Sequence, residues 1–207
     1  MNLGIIGSGG FGRETLLLAK DILKNKKTLY DEIFFIEFDN QFKRKLVDNT
    51  TVLKLSEVDI SSFLFVIAIG DNKIREKIDK ELDNKVEYTS LISPRSYVSD
   101  DINNKEGLIV MPYCYITCNV TIGKHTQINS SCSIGHDTQI GNYFTAVSGT
   151  RIAGNNNILN NVYFSANSST KQGVEICSDV KIGLNSSVVK NIVKSGTYFG
   201  NPAKFLI

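Results

Sequence analysis

Ser133-Ile134-Gly135-His136-Asp137-Thr138-Gln139-Ile140-Gly141-Asn142 contains the same apolar-glycine pair twice, six residues apart. Stepping outward from Ile134 in sixes gives Val98, Asn104, Val110, Ile116, Ile122, Ile128, Ile134, Ile140, Ala146, Ile152, Ile158, Phe164, Thr170, Ile176, Ile182 and Val188, and fourteen of these sixteen are apolar. Two residues earlier runs a second row that includes Leu108, Cys114, Val120, Cys132, Val162, Val174 and Val180. Side chains two apart share a face of a pleated strand, so both rows point inward. Gly123, Gly135, Gly141 and Gly183 follow inward isoleucines, and Asn and Gly crowd the remaining sites, as in Gly154-Asn155-Asn156-Asn157, where the chain must turn corners. The pattern predicts a solenoid of very short strands whose coils stack and bury one aliphatic column.

Before Pro94 the period is different. Leu3-Gly4-Ile5-Ile6 reads as a short apolar strand, followed by the loop Gly7-Ser8-Gly9-Gly10-Phe11-Gly12 and a helix opening at Arg13. Ile33–Ile36 and Phe63–Ile69 read as further buried strands, the first ending near the acidic Glu37 and Asp39. Asp71 or Asn72 can cap a helix running toward Leu82, and Val86–Ile92 gives a last strand. Alternating β and α elements with continuous apolar strands predict a small parallel sheet covered on both faces. The expected organisation is a Rossmann-like α/β half domain over 1–92, a β-helix over 93–192 and a tail over 193–207.

Charge is balanced at 23 basic against 21 acidic residues, so no strong field points to nucleic acid or an anionic membrane. Lys24-Asn25-Lys26-Lys27 reads as a solvated helix end. No apolar run approaches a spanning helix and the first residues lack a basic leader, so a cytoplasmic protein is expected. Cys114, Cys118, Cys132 and Cys177 have no zinc-finger spacing, and Cys114 and Cys132, eighteen apart, read as packing residues of adjacent coils.

The glycine loop, between a strand and a helix, matches a dinucleotide fingerprint, with Glu37 placed for a ribose. Backbone N–H groups at the helix start can hold a phosphate. An NAD site needs two mononucleotide halves and the chain supplies one. A phosphate-bearing sugar nucleotide therefore fits better, and a vestigial turn is the remaining alternative.

Gly7 to Arg13, Ala68-Ile69-Gly70-Asp71-Asn72 with Arg75, Leu108 to Tyr113, Ile134-Gly135-His136-Asp137 and Gly200-Asn201-Pro202-Ala203-Lys204 occur here in order. Together they resemble the hexapeptide-repeat sugar O/N-acyltransferases, the family of bacillosamine-pathway, perosamine and other 4-amino-sugar N-acetyltransferases and of sialic acid O-acetyltransferases. The resemblance implies a left-handed parallel β-helix with three hexads per turn. Five turns at roughly 4.8 Å would span about 25 Å.

The resemblance also implies roles. Gly9, Gly10, Phe11 and Arg13 would line the diphosphate and sugar, Glu37 would meet the base or ribose, and Gly70, Asn72 and Arg75 would close the far wall. Phe11 stands where many relatives have histidine. His136 corresponds to the catalytic base, and from its place two residues after Ile134 its side chain points out of the prism. Its imidazole can take a proton near neutral pH, with Asp137 fixing the tautomer. Gly154, eighteen residues on, falls one coil along the same side, where the family places the oxyanion N–H. Asn129 corresponds to a polar residue at the acceptor, and Thr145 replaces a second histidine of many relatives. Acetyl-CoA would lie between neighbouring prisms on Gly154, Ala166, Asn167, Gly173 and the coil ending at Lys190, with Lys171, Lys190 or Lys204 near its phosphates. That groove implies a homotrimer.

The expectation is an acetyl-CoA-dependent N-acetyltransferase for a nucleotide-linked 4-amino-4,6-dideoxyhexose in bacterial surface-glycan synthesis, without metal. Sugar O-acetylation is the alternative activity. A trimeric scaffold or nucleotide-sugar-binding protein is the non-enzymatic one. A γ-carbonic-anhydrase-like centre would need three histidines, and the chain has two. The second, His125, is expected to be a solvated corner residue, and Cys132 is expected to face inward and be inert.

Overall fold

The computed structural model describes residues 1–25, 30–82, 85–102 and 106–207. The inward position assigned to Asn104, and the helix end assigned to Lys26 and Lys27, lie outside the described residues.

The N-terminal unit is built on a sheet in which β1 (Asn2–Ile6) lies between β2 (Glu32–Glu37) and β5 (Phe63–Ile67). β3 (Leu46–Val47) and β4 (Thr50–Lys54) extend it beyond β2, and β6 (Glu87–Tyr88) extends it beyond β5. β1 pairs in parallel with both neighbours, so the sheet reverses its winding between β1 and β5. Their carboxyl ends stand side by side there, the place where open α/β sheets take ligands. Helix α1 (Gly10–Lys24) starts three residues earlier than the helix formers at Arg13 predict. Its Leu16 and Ala19 pack on Leu3, Ile5 and Phe35. Helix α2 (Asn72–Leu82) opens where expected, capped by Asp71 Oδ1, which accepts from the N–H groups of Lys73 and Ile74 at 2.9 Å. The β3–β4 hairpin was absent from the periodic reading. It turns on Asp48 and Asn49, both left-handed, as a tight two-residue hairpin requires.

The apolar run over 86–92 is two strands rather than one. β6 closes the N-terminal sheet, whereas Leu91–Ile92 pairs with Ile109–Val110 and begins the coil. From there, strands pair in parallel at steps of eighteen residues, such as Tyr115 with Ser133 and Ser133 with Arg151. Three hexads therefore close one turn of a three-faced prism. Face I contains Ile109–Val110, Gln127–Ile128, Thr145–Ala146 and Tyr163–Phe164. Face II contains Tyr115–Ile116, Ser133–Ile134, Arg151–Ile152 and Ser169–Thr170. Face III contains Thr121–Ile122, Gln139–Ile140, Asn157–Ile158 and Glu175–Ile176. The C-terminal residues, expected as a tail, continue face I. Gly196–Phe199 pairs with Val180–Ile182, and Lys204–Phe205 folds back on it.

Both inward rows are buried in one core running from Ile102 to Ile192. Cutting an inward isoleucine back to alanine would cost about 2–5 kcal/mol. Thr170 breaks the apolar row for a local reason: its hydroxyl accepts from Ala153 N–H at 3.0 Å and from Asn156 Nδ2 at 2.7 Å. Each hexad turns its corner through one left-handed residue, from Gly107 to Asn185, with φ between +53° and +77°. Such a backbone favours Gly, Asn and Asp. Tyr113, His125, Ser131 and Tyr143 adopt it as well.

The N-terminal unit sits on face I, with Leu91, Ile109 and Met111 of the coil sharing the core of α1 and β1. Helix α2 lies along the edge between faces III and I. There Asn72 Nδ2 donates to Asn161 O at 2.6 Å, and Asn161 Nδ2 donates to Glu76 at 2.7 Å. Lys73 pairs with Asp179 at 3.1 Å. The outward side chains of faces II and III, such as Tyr115, Arg151, Gln139 and Glu175, are exposed. No helix of the described residues is long and apolar enough to cross a membrane.

Candidate active site

His136 stands on the edge between faces II and III, away from the N-terminal unit, with half of its side chain exposed (52%). Its Nδ1 is 2.7 Å from Asp137 Oδ2, and the other carboxylate oxygen accepts from Asn119 Nδ2 at 2.6 Å. Those two bonds, Asn119 first, hold the Asp137 carboxyl below its usual range. A carboxylate against Nδ1 favours the tautomer that carries its proton there, which leaves Nε2 as a base.

Gly154 lies on the next coil, directly against that nitrogen. A Cβ at this position would come within 2.7 Å of His136 Nε2. The backbone beside it is also unusual. On the edge between faces III and I, the N–H groups of Lys124 and Asn142 are capped by Asn142 Oδ1 and Asn160 Oδ1 at 3.0 and 2.8 Å. The same corner position on the His136 edge is filled by His136 and Gly154, and among the described residues no acceptor takes the Gly154 N–H. A base and an open donor are therefore adjacent.

The remaining expected residues fall into two groups on opposite sides of face II. Gly173 and Lys190 follow Gly154 along the His136 edge. Asn129, Ala166 and Asn167 occupy the edge between faces I and II, so one chain does not bring Asn129 to His136. Asn129 borders a cleft of about 490 Å³ between that edge and α1, with Leu17, Lys24, Met111 and Ser148. Its buried Oδ1 has no partner. Lys190 and Lys204 border a hollow over the last coil with Val189 and Phe205.

At the carboxyl end of β1, a Cβ on Gly9 or Gly10 would meet nothing within 4 Å. The space there continues along Glu37, whose carboxylate accepts from Ser8 Oγ. Arg13 faces this cleft but is held by Asp48 at 2.7 Å. Phe11 is a correction: its ring packs half-buried against the core instead of lining the cleft. Gly70 and Asn72 line a different cleft, about 480 Å³, whose other wall is Tyr163, Asp179 and Lys181. These partners, and Asn40, Gln41, Lys43 and Arg44 beside Glu37, were not marked by any motif. They come from the connection between β2 and β3, from outward positions of face I and, for Asp179, from a corner, none of which the inward period distinguishes.

Arg75 and His125 are the larger corrections. Arg75 is not on a binding wall but fully buried (0% exposed). Its Nε donates to His125 O at 2.9 Å, Nη1 to Ile69 O at 2.7 Å, and Nη2 to Tyr143 O and Thr145 Oγ1, both at 2.8 Å. Thr145 is thus an acceptor for the interdomain arginine. His125, expected in solvent, is also 0% exposed, because the unit that docks on its corner replaces water there. It meets Asp79 at 2.9 Å, and burial pushes its pKa down to about 4. Asp79 also accepts from Tyr143 at 2.6 Å and pairs with Lys124 at 2.6 Å. Asp79, Glu106 and His125 have ligand-type atoms within 4.8 Å of one another, but the Lys124 ammonium already supplies the positive charge. Cys132 is buried and its thiol is pushed up, first by its hydrogen bond with Cys114 and then by burial, as an inert packing residue would be.

Residues 2–82 match the PglD N-terminal domain family. GDP-perosamine N-acetyltransferase of Escherichia coli O157:H7 is 31% identical over 179 residues, 84% of this chain and 80% of that protein. Among solved structures, the acetyltransferase domain of PglB from Neisseria gonorrhoeae superposes with a TM-score of 0.89 at 24% identity, covering 99% of each chain. A mutant perosamine N-acetyltransferase from Caulobacter crescentus, solved with CoA and GDP-perosamine, gives 0.88 at 21% identity, covering 99% of this chain and 96% of that one.

Proposed function

The chain belongs to the hexapeptide-repeat sugar acyltransferases, and on that premise we propose that it transfers acetyl from acetyl-CoA to the 4-amino group of a nucleotide-linked 4-amino-4,6-dideoxyhexose. The observation that supports this most is the exposed His136, with Nδ1 held by Asp137 and Nε2 against Gly154. As the sugar nitrogen attacks the thioester carbonyl, His136 Nε2 takes its proton and the C–N bond forms. The oxyanion is met by the free Gly154 N–H. Collapse breaks the C–S bond, and the proton passes from His136 to the leaving thiolate. No acyl-enzyme is formed.

Each substrate needs both sides of face II. His136, Gly154, Gly173 and Lys190 lie on one edge, and Asn129, Ala166 and Asn167 on the other. In a cyclic trimer one copy's His136 edge meets the other edge of its neighbour, and the orphaned Asn129 Oδ1 then has an acceptor hydroxyl or amine to receive. In this arrangement the glycine-loop cleft with Glu37 holds the nucleotide end, and Gly70 and Asn72 line the separate cleft against face I.

The test is incubation with acetyl-CoA and UDP-, dTDP- or GDP-linked 4-amino sugars, with free thiol as the readout. Thiol release that is lost in His136→Ala supports the reading. Release with a free sialic acid and none of the amino sugars replaces it with O-acetylation. Sedimentation of the purified protein as a monomer at working concentration would refute the shared site.

A further inference from the structure

The cleft beside the glycine loop has two lobes, about 490 and 440 Å³, which share Ser8, Gly9, Arg44 and Val47. Their charges differ. One lobe contains Glu37, an acceptor suited to a sugar hydroxyl and repellent to phosphate. The other contains Gly10, Arg13 and Asp48. Its floor is the start of α1, where Gly9 offers no capping side chain and the first turn has no acidic residue. A Cβ on Gly9 or Gly10 would meet open space there, and the first N–H groups of the helix carry the positive end of its dipole.

Arg13 and Asp48 cancel each other at 2.7 Å, so Arg13 brings no net charge to this lobe. Arg44 borders both lobes, and among the described residues it forms no ion pair. Lys43 likewise has no ion pair among the described residues but borders only the Glu37 lobe, so Arg44 is the unpaired cation of the lobe over the start of α1. We propose that Arg44 is a binding residue for the diphosphate of a nucleoside diphosphate, which it clamps over Gly9 and Gly10 while the ribose turns toward Glu37. This rests on the reading above that the cleft takes a nucleotide sugar, and it replaces Arg13 as the principal phosphate ligand. A guanidinium suits the task because its fork meets two phosphate oxygens at once.

The test is calorimetric titration of the purified protein with UDP, GDP and dTDP in the absence of acetyl-CoA. Arg44→Gln is expected to weaken the tightest of the three about tenfold or more. Lys45→Gln, which removes the same charge next door without bordering the cleft, should leave it within about twofold. Equal losses in the two variants, no loss in Arg44→Gln, or no binding of any diphosphate by the unaltered protein overturns the proposal. Diphosphate binding that depends on Arg44 in a protein that releases no thiol from acetyl-CoA would sink the acetyltransferase reading and leave this one standing.

Discussion

His125 and His136 occupy neighbouring positions of one repeat on two edges of one prism. On the first edge, α2 brings Arg75 and Asp79 down onto the corner, water is excluded, and the imidazole is held neutral among Asp79, Lys124 and Tyr143. On the second edge none of the described residues buries the corner, and the imidazole Nε2 lies against Gly154. The repeat builds similar sockets, with the two histidines one position apart. What docks on each socket decides whether its histidine is mortar or reagent.

The contrast breaks most directly at the exposed edge. His136→Ala should lower acetyl transfer roughly 10²- to 10⁴-fold with the unfolding temperature unchanged. An equal loss in His125→Gln at full folding would erase the distinction. Next comes the covered edge. Arg75→Met strands several buried carbonyls and should cost about 3 kcal/mol in chemical unfolding, far more than any exposed arginine.

The pH dependence of stability sharpens the comparison further. His125 has a folded pKa of about 4, below the roughly 6.5 of an unfolded chain, so between these values the unfolded chain binds the extra proton. Its contribution is complete above about pH 6.5 and is lost as pH falls toward 4, about 3 kcal/mol in all. His125→Gln should flatten that limb of the curve, measured by denaturant titration at several pH values. Smallest is Asp137→Asn, expected to reduce kcat about tenfold, because this carboxylate is half in solvent.

The period of six made the inward column legible down to Ile134, Phe164 and Val188, and the step of eighteen put Gly154 beside His136. Both are properties of one chain winding on itself. His125 and Arg75 were misread because their burial comes from a second unit docking on an edge, and no periodicity within the coil encodes which edge that is. The β3–β4 hairpin was missed for a plainer reason. Its first strand has only two residues, although Asp48-Asn49 between Leu46-Val47 and Thr50-Thr51 is a turn sequence. Thr170 looked like a lapse in the pattern and is instead a paired acceptor for Asn156 and Ala153.

The one-per-hexad left-handed corner has a consequence for how this chain can change. Three corners complete a circuit, so every residue has an address made of an edge and a storey. Inserting six residues between Gly154 and Lys190 would leave each coil well formed yet turn everything beyond it by a third of a revolution, taking Lys190 off the edge of His136. Inserting eighteen would keep the edge and raise Lys190 by one storey, roughly 4.8 Å. The molecule behaves as a combination lock with three positions, and length variation that preserves chemistry should come in whole circuits.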